Sequence, residues 1–199
     1  MTRKVCALVT AVVAALAVAG CGDDAAVTHE THTASNGDEY NDADVRFATE
    51  MIPHHAQALA MVDLTVGRRL DPEVRQLAED IREAQAPEIE LMTDWLTSWG
   101  EDIPETVRDH ANAHGEGGMD MDTDLPGMMT AEDMAELEHA GDAAFRDLFL
   151  TMMIAHHEGA IAMARAEQDE GLFDPATQLA ELIETAQREE ITRMEGLLR

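Results

Sequence analysis

The sequence predicts an all-α fold, a four-helix bundle assembled from two similar helical hairpins. Two segments repeat at an offset of 102 residues: Met51–Met61 matches Met153–Met163 at 7 of 11 positions, and Leu77–Met92 matches Leu179–Met194 at 9 of 16. Within both copies the apolar residues recur at spacings of three and four, the period of an amphipathic helix. No segment alternates at a period of two, so we expect no β-sheet. Two copies indicate an internal duplication rather than a solenoid, which needs at least about three stacked units.

The four main helices have recognisable starts and stops. Asn41 or Asp42 caps a first helix that should run to about Arg69, and Pro72 fits the first position of a second helix ending near Trp99. A short helix follows Thr130, and the second hairpin comprises helices from about Asp142 to Gly171 and from Asp174 onward. Pro53 and Pro87 should bend the helices that contain them. The connection between the hairpins, roughly 40 residues long, allows a crossover rather than a simple up-and-down path.

The N-terminus has the pattern of an export signal. Arg3 and Lys4 precede the apolar run Ala7–Ala19, and small residues lead to Cys21. This resembles a bacterial lipoprotein signal, whose cleavage would leave Cys21 as the lipidated first residue; a plain secretory signal with a chance cysteine is the alternative. The predicted organisation is a signal peptide over 1–20, a flexible tether over 21–40, and a duplicated domain over 41–199. Its repeats span about 41–99 and 142–199, joined by the connector 100–141.

Composition restricts the partners and the metal chemistry. The formal net charge is −28, which argues against nucleic acid and anionic lipid as binding partners because both need basic patches. Membrane association would then depend on the lipid anchor. Cys6 is removed with the signal, so no cysteine remains for a disulfide or a thiolate site, and a metal must use His, Met, Asp or Glu. The chain has 13 Met against only seven Phe, Trp and Tyr residues.

The two His-His dipeptides are the strongest candidate site. Their spacing places both histidines of each pair on the broad apolar face of a helix, with methionines three or four residues before and six or seven after. Imidazole and thioether ligands together suit copper, and Cu(I) especially. The candidate ligands are His54, His55, His156, His157, Met51, Met61, Met153 and Met163. The alternative is that these methionines only fill the core and that hydrogen bonds alone satisfy the imidazoles.

Other residues could support this site. Gln85 and Gln187 occupy equivalent positions on the inner faces of the second and fourth helices, and they could orient the imidazoles. Met92 and Met194 lie about two helical turns further along the same faces and could support the site as well. The connector could carry a secondary metal site, because methionine beside Gly and Asp has no evident core to fill. An ordinary connector that happens to hold methionine is the alternative. Its candidate ligands are His110, His114, Met119, Met121, Met128 and Met129.

These motifs together resemble a known family, the domain-of-unknown-function family 305. The resemblance covers about residues 41–199 and lies in Asn41–Phe47, Met51–His55, Gln85, Glu88-Ile89, Met92, Trp95-Leu96, Trp99-Gly100 and their second copies. It implies a small ferritin-like four-helix bundle, often exported or lipid-anchored in bacteria and in some members copper-binding through His and Met. Ala155 departs from the pattern by replacing the proline of Met-Ile-Pro-His-His, so the two copies need not be equivalent.

The leading hypothesis is an extracytoplasmic, lipid-anchored copper-binding protein that sequesters or delivers the metal, more plausibly a binding protein than an enzyme. The runner-up is a ferritin-like redox enzyme with a paired metal centre. A third hypothesis is a structural or interaction bundle without metal. The pattern differs from that of carboxylate di-iron bundles, which pair Glu with Glu-x-x-His. The sequence leaves open whether the chain forms a homo-oligomer, and whether the histidine pairs form one centre or two.

Overall fold

The structure, a computed structural model, describes residues 30–107 and 125–199. In these two ranges, four long helices and one short helix follow a small β-hairpin, so the all-α bundle prediction is confirmed. The elements are β1 Thr31–Thr33, β2 Glu39–Asn41, α1 Asp42–Asp63, α2 Pro72–Trp99, α3 Ala131–His139, α4 Asp142–Glu170 and α5 Asp174–Leu197. No helix within the described ranges combines the length and hydrophobicity needed to cross a bilayer.

Local signals account for most helix ends. Asn41 caps α1 by accepting from the Ala43 and Asp44 amides, while the Asp44 carboxylate accepts from the Asn41 amide, a reciprocal capping box. Gly100 ends α2 in the left-handed conformation that glycine adopts without strain. Thr130 and Asp133 form the second capping box, at the start of α3.

The first helix is shorter than predicted. It ends at Asp63 rather than near Arg69, and residues 64–67 form turns. Arg68 instead donates to the carbonyls of Glu138 and Ala140 at the end of α3, and its guanidinium lies 3.9 Å from the Phe145 ring centroid. These long-range contacts satisfy carbonyls that a helix end leaves without partners. The local apolar pattern gives no sign of them, so it could not predict that α1 ends early.

The expectation of no β-sheet was wrong. Both strands lie almost entirely in the predicted tether, residues 21–40. β1 and β2 pair antiparallel, with Thr31 opposite Asn41. Tyr40 is buried and stacks on Trp99, with ring centroids 4.4 Å apart and an interplanar angle of 6°. Strands of three residues are too short to show an alternating pattern, so the sequence carried no period-two signal.

The connection between the hairpins is the predicted crossover. Contacts between Arg46 and Glu170, His54 and His156, and Arg68 and Phe145 show that α1 and α4 run antiparallel. Trp99 therefore ends α2 near the beginning of α1, beside Tyr40, whereas α4 begins near the end of α1. The end of α2 and the start of α4 therefore lie at opposite ends of the bundle, as a crossover connection requires.

The two hairpins are related by an approximate twofold rotation. It exchanges two buried clusters: Met51, Met92 and Met163 belong to one, and Met153, Met194 and Met61, their duplicated counterparts, belong to the other. An ion pair is also duplicated, with the acidic and the basic residue exchanged between the two helices. Asp63 pairs with Arg82 at 2.8 Å, and at the equivalent positions Arg165 pairs with Glu184 at 2.9 Å.

Candidate metal centre

The four histidines of the duplicated dipeptides lie in the middle of α1 and α4, and all four side chains are fully buried. His54 and His156 face each other across the approximate twofold axis, with ring centroids 3.8 Å apart and an interplanar angle of 39°. The first histidine of each pair thus meets its duplicate at one place. A buried imidazole is costly unless its nitrogens have partners, so the hydrogen bonds of this group decide what it can do.

The inner pair is poorly satisfied. His54 Nε2 donates to the Pro126 carbonyl at 3.0 Å. Neither ring nitrogen of His156 has a hydrogen-bond partner among the described residues, and His54 Nδ1 has none either. These nitrogens therefore have lone pairs or protons that the described protein groups leave unused.

The outer pair is held by carboxylates at duplicated positions. His55 Nε2 donates to Glu88 at 2.7 Å, and His157 Nε2 donates to Glu190 at 2.6 Å. In the neutral ring this hydrogen bond places the proton on Nε2 and leaves a lone pair on Nδ1, which has no partner among the described residues. Carboxylate–histidine–metal triads have this arrangement.

Burial keeps the inner imidazoles neutral. Removal from water, assisted by the nearby His55, lowers the pKa of His54 to about 3, although the hydrogen bond to Pro126 acts in the opposite direction. Burial, together with His54, lowers the pKa of His156 well below its ordinary value. Neutral imidazole is the form that binds a metal.

The predicted methionine ligands are all buried in the core. Met51, Met61 and Met153 are fully buried, while Met163 is 8% exposed. Met92 and Met194, predicted as supporting residues, are fully buried in the same two apolar clusters. The core therefore supplies thioethers on α1, α2, α4 and α5.

Gln85 and Gln187 are buried but do not orient the imidazoles in this structure. Neither polar atom of the Gln85 amide, nor the Gln187 oxygen, has a hydrogen-bond partner among the described residues. Glu88 and Glu190, three residues further on, make the contacts predicted for the glutamines. Glu88 belongs to the motifs that resemble family 305, but neither glutamate was predicted to contact a histidine.

The described end of the connector closes over the inner histidines. Gln57, fully buried, clamps Met129: its amide nitrogen donates to the Met129 carbonyl at 2.8 Å and its oxygen accepts from the Met129 amide at 2.7 Å. Pro126 and Gly127 lie against Gly159 of α4, where an added Cβ would overlap the Pro126 carbonyl oxygen. Gln57, Pro126 and Gly159 were not predicted to belong to the site. The available signal was that Gln57 and Gly159 each stand three residues after the first histidine of a pair, on the same side of the helix.

Part of the predicted secondary loop site has a definite place. Met129 packs in the second apolar cluster and Met128 is half-buried, so Met129 does have a core to fill. The remaining candidates, His110, His114, Met119 and Met121, lie outside the described residues, as do Cys21 and the predicted signal peptide.

The donor set fits a soft metal ion. In residues 30–107 and 125–199, no three His, Cys, Asp or Glu side chains are grouped to hold a metal by themselves. A metal held there by more than two ligands would need a further group, such as a thioether, beside the histidines. Unpartnered, neutral, buried imidazole nitrogens in a methionine-rich core match the ligand preference of Cu(I).

The sequence over residues 44–198 matches the family described as "Domain of unknown function (DUF305)". The chain belongs to this family. A crystal structure of a DUF305 fragment from Deinococcus radiodurans is similar at 30% identity, with a TM-score of 0.68, covering 84% of this chain and 98% of that chain. A DUF305 protein from Streptomyces coelicolor, proposed to be secreted, has 30% identity and a TM-score of 0.66 over 78% of this chain and 90% of that one.

Metal-bound structures are also similar to this DUF305 chain. CopM in its Cu(II)-bound form has 26% identity and a TM-score of 0.61, covering 78% of this chain and 95% of that chain. The Cu(I)-bound form has 25% identity and a TM-score of 0.60 over 77% and 94%. No curated protein matches the chain.

Proposed function

We propose that this protein binds copper, as Cu(I), through the buried His-Met centre. The observation that carries the proposal is His156, a fully buried imidazole 3.8 Å from the ring of His54 with no hydrogen-bond partner for either nitrogen in residues 30–107 and 125–199. Leaving such a group unsatisfied costs about 1–3 kcal/mol, and a metal ion would satisfy it. The ligands would come from His54, His55, His156 and His157, with Met51, Met61, Met153 and Met163.

The comparisons support a metal of this kind. CopM has been crystallised with Cu(I), Cu(II) and Ag, and Cu(I) and Ag(I) share a preference for thioether and imidazole ligands. When bound, copper would be held as cargo, and the protein's part would be to supply neutral ligands in a site that excludes water.

We further propose an extracytoplasmic location, with Cys21 carrying a lipid anchor and with sequestration or hand-over of copper as the role. The charged, apolar and small-residue segments that precede Cys21 support export, as does the similarity to a DUF305 protein proposed to be secreted. The connector, whose Met128 is half-buried, would serve as a secondary or delivery site.

The test is an anaerobic Cu(I) titration of residues 22–199 against a chromophoric Cu(I) chelator. We expect tight binding by the wild type, and loss of affinity or stoichiometry in His156→Ala and in the quadruple variant lacking all four histidines. His139→Ala, which changes an exposed histidine on α3, is the control and should bind like the wild type. Circular dichroism checks that each variant is folded.

Three outcomes separate the hypotheses. A rise in melting temperature with Cu(I), absent from the histidine variants, supports copper binding, because a ligand that binds only the folded state stabilises it. Unchanged affinity and stoichiometry in the quadruple variant would rule this centre out. A redox enzyme would instead show two metals per purified chain and metal-dependent turnover of oxygen or peroxide.

A further inference from the structure

A metal ion cannot reach the two inner histidines unless part of the protein moves, because His54 and His156 are fully buried. Apolar clusters pack along the bundle on either side of them: residues of α1 up to Ile52 belong to one cluster, and residues from Ala58 onward belong to the other. Opening either cluster would expose apolar side chains to water, at a cost that grows with the exposed area. A route to these rings therefore needs a segment that separates from the helices more easily.

The segment that covers His54 is a short turn, Leu125–Met128, which we call the lid. The Met128 amide donates to the Leu125 carbonyl at 3.2 Å. Pro126 followed by Gly127, whose φ is +76°, is the residue pair that a type II turn favours. Pro126 is exposed, yet its carbonyl accepts the hydrogen bond from the buried His54 ring. On this side of the bundle, one turn of chain therefore separates the histidine from solvent.

The lid rests on α4 through backbone atoms. The Pro126 carbonyl and the Gly127 Cα lie against Gly159, and Gly127 also lies against the Ala155 carbonyl. Glycine on both sides of this contact means that the two surfaces meet without interlocking side chains. Such a contact buries little apolar area, so it opens more easily than the clusters do.

The C-terminal end of the lid is anchored. Met129, the next residue, packs in the second apolar cluster, and Gln57 makes two hydrogen bonds to its backbone. Thr130 then begins α3 with its capping box. The lid can therefore move about this anchor without unfolding a helix, and Gly127 provides a flexible position within it.

The closed lid is compatible with a metal ion in the centre. His54 uses Nε2 for the Pro126 carbonyl, and its Nδ1 has no partner among the described residues. A neutral ring held in this way presents a lone pair on Nδ1, as the outer histidines do through their carboxylates. The hydrogen bond that holds the lid closed therefore also orients a candidate ligand.

We propose that the Leu125–Met128 turn is a lid that opens to admit Cu(I) to His54 and His156 and closes over the bound ion. This inference rests on the proposed copper function and adds control over the rates of uptake and release. The ion moves to neutral ligands and back without a change of oxidation state. Because both directions need the open lid, a looser lid raises both rates and changes the affinity less.

The experiment measures Cu(I) uptake from a weak chromophoric complex, and Cu(I) release to a strong chelator, by anaerobic stopped-flow. Gly127→Ala disturbs the lid, because its Cβ would overlap the Ala155 carbonyl. Gly67→Ala is the matched control, since that glycine has a φ of +80° in a turn with nothing within 4 Å of the added Cβ. Gln57→Leu removes the anchoring hydrogen bonds but keeps a side chain of similar size, and Gln76→Leu, an exposed change on α2, is its control.

Hydrogen exchange follows the lid without reference to copper. The Met128 amide donates within the turn and the Met129 amide donates to Gln57, so their exchange reports how often the lid and its anchor open. We expect both amides to exchange faster in the two lid variants than in the wild type. We also expect them to exchange more slowly in the wild type once Cu(I) is bound.

We expect uptake and release to be at least about fivefold faster in Gly127→Ala and in Gln57→Leu, with unchanged stoichiometry and with affinity altered less than either rate. Both controls should behave like the wild type. Wild-type rates in both lid variants would overturn the lid, whether or not the Met129 amide exchanges faster, and would leave copper binding intact. A wild type that takes up no Cu(I) would overturn both proposals, so the two failures are distinguished.

Discussion

Glu88 and Glu190 set which nitrogen of the outer histidines faces the core. Each accepts the Nε2 proton of its histidine, at 2.7 and 2.6 Å, and each reaches from a partly exposed position to a fully buried ring. A carboxylate on the far side of an imidazole fixes its orientation and makes the other nitrogen a better ligand. The same contact occurs in both hairpins, between His55 and Glu88 in the first and between His157 and Glu190 in the second.

We therefore expect Glu88→Ala and Glu190→Ala to weaken Cu(I) binding by about 10–100-fold each, the usual effect of losing such a partner. Glutamine at these positions retains an acceptor oxygen and should lose less. The measurement is chelator competition, with Glu83→Ala, an exposed change on α2, as the control. Equal affinities in all variants would mean that the outer histidines are not ligands.

Glu167 should lower stability at neutral and alkaline pH. Burial and the nearby Asp44 raise its pKa from 4.5 to about 9 in the folded protein, so its contribution to stability is fully present below pH 4.5 and is lost as pH rises toward 9. Glutamine carries no such penalty. We expect Glu167→Gln to melt at a higher temperature than the wild type, by a margin that grows from pH 5 to pH 9. A margin that does not vary with pH, as expected for Glu181→Gln at an exposed position of α5, would contradict the assignment.

At the scale of elements, the connector is held by a glycine in the middle of a helix. Glycine inside a helix is unfavourable by about 1 kcal/mol relative to alanine, and Gly159 is tolerated because Pro126 and Gly127 lie where its Cβ would be. The equivalent residue of the first copy, Gln57 on α1, makes two hydrogen bonds to the backbone of Met129 in the same segment. The two copies thus diverged at this position to hold one connector.

Gly159→Ala should therefore destabilise the protein, by about 1–3 kcal/mol as for other overpacked sites, and expose the Met129 amide to faster hydrogen exchange. Gly196→Ala is the matched control, because it lies in α5 with nothing within 4 Å of the added Cβ. We expect that change to stabilise, by up to about 1 kcal/mol. Urea unfolding and hydrogen exchange measure both effects, and a Gly159→Ala variant as stable as Gly196→Ala would show that the connector does not lie there.

The sequence predicted the elements well where local patterns decide them. The duplication, the apolar stripes and capping residues such as Asn41 and Thr130 give the helices, because these signals lie within a few residues of each other. It could not predict the end of α1 or the role of Pro126, since both depend on contacts made about 70 residues away. Gln85 rather than Glu88 was predicted to orient an imidazole, because the glutamine lies in the middle of the apolar stripe of α2. Glu88 is partly exposed, and only the folded structure shows that its carboxylate contacts His55.

At the scale of the whole molecule, the approximate twofold rotation places His54 against His156. Each hairpin also keeps an ion pair between its two helices. The pair Asp63–Arg82 and its counterpart Arg165–Glu184 preserve the same contact with opposite polarity. Half-exposed pairs of this kind contribute little to stability, so the core, with its two methionine clusters, must supply most of it. The crossover connector then breaks the symmetry, because a single segment covers a site made by two equivalent helices.

This arrangement makes the metal-free protein sensitive to acid at its centre. Because the folded-state pKa values of His54 and His156 lie below 6.5, the unfolded chain binds more protons than the folded protein once pH falls below about 6.5. Each histidine then costs up to about 1.4 kcal/mol per pH unit. We expect the urea midpoint of the wild type to drop relative to that of the double variant His54→Leu/His156→Leu as pH falls from 7.5 to 5. Parallel pH dependences would show that the two imidazoles are not held neutral inside the bundle.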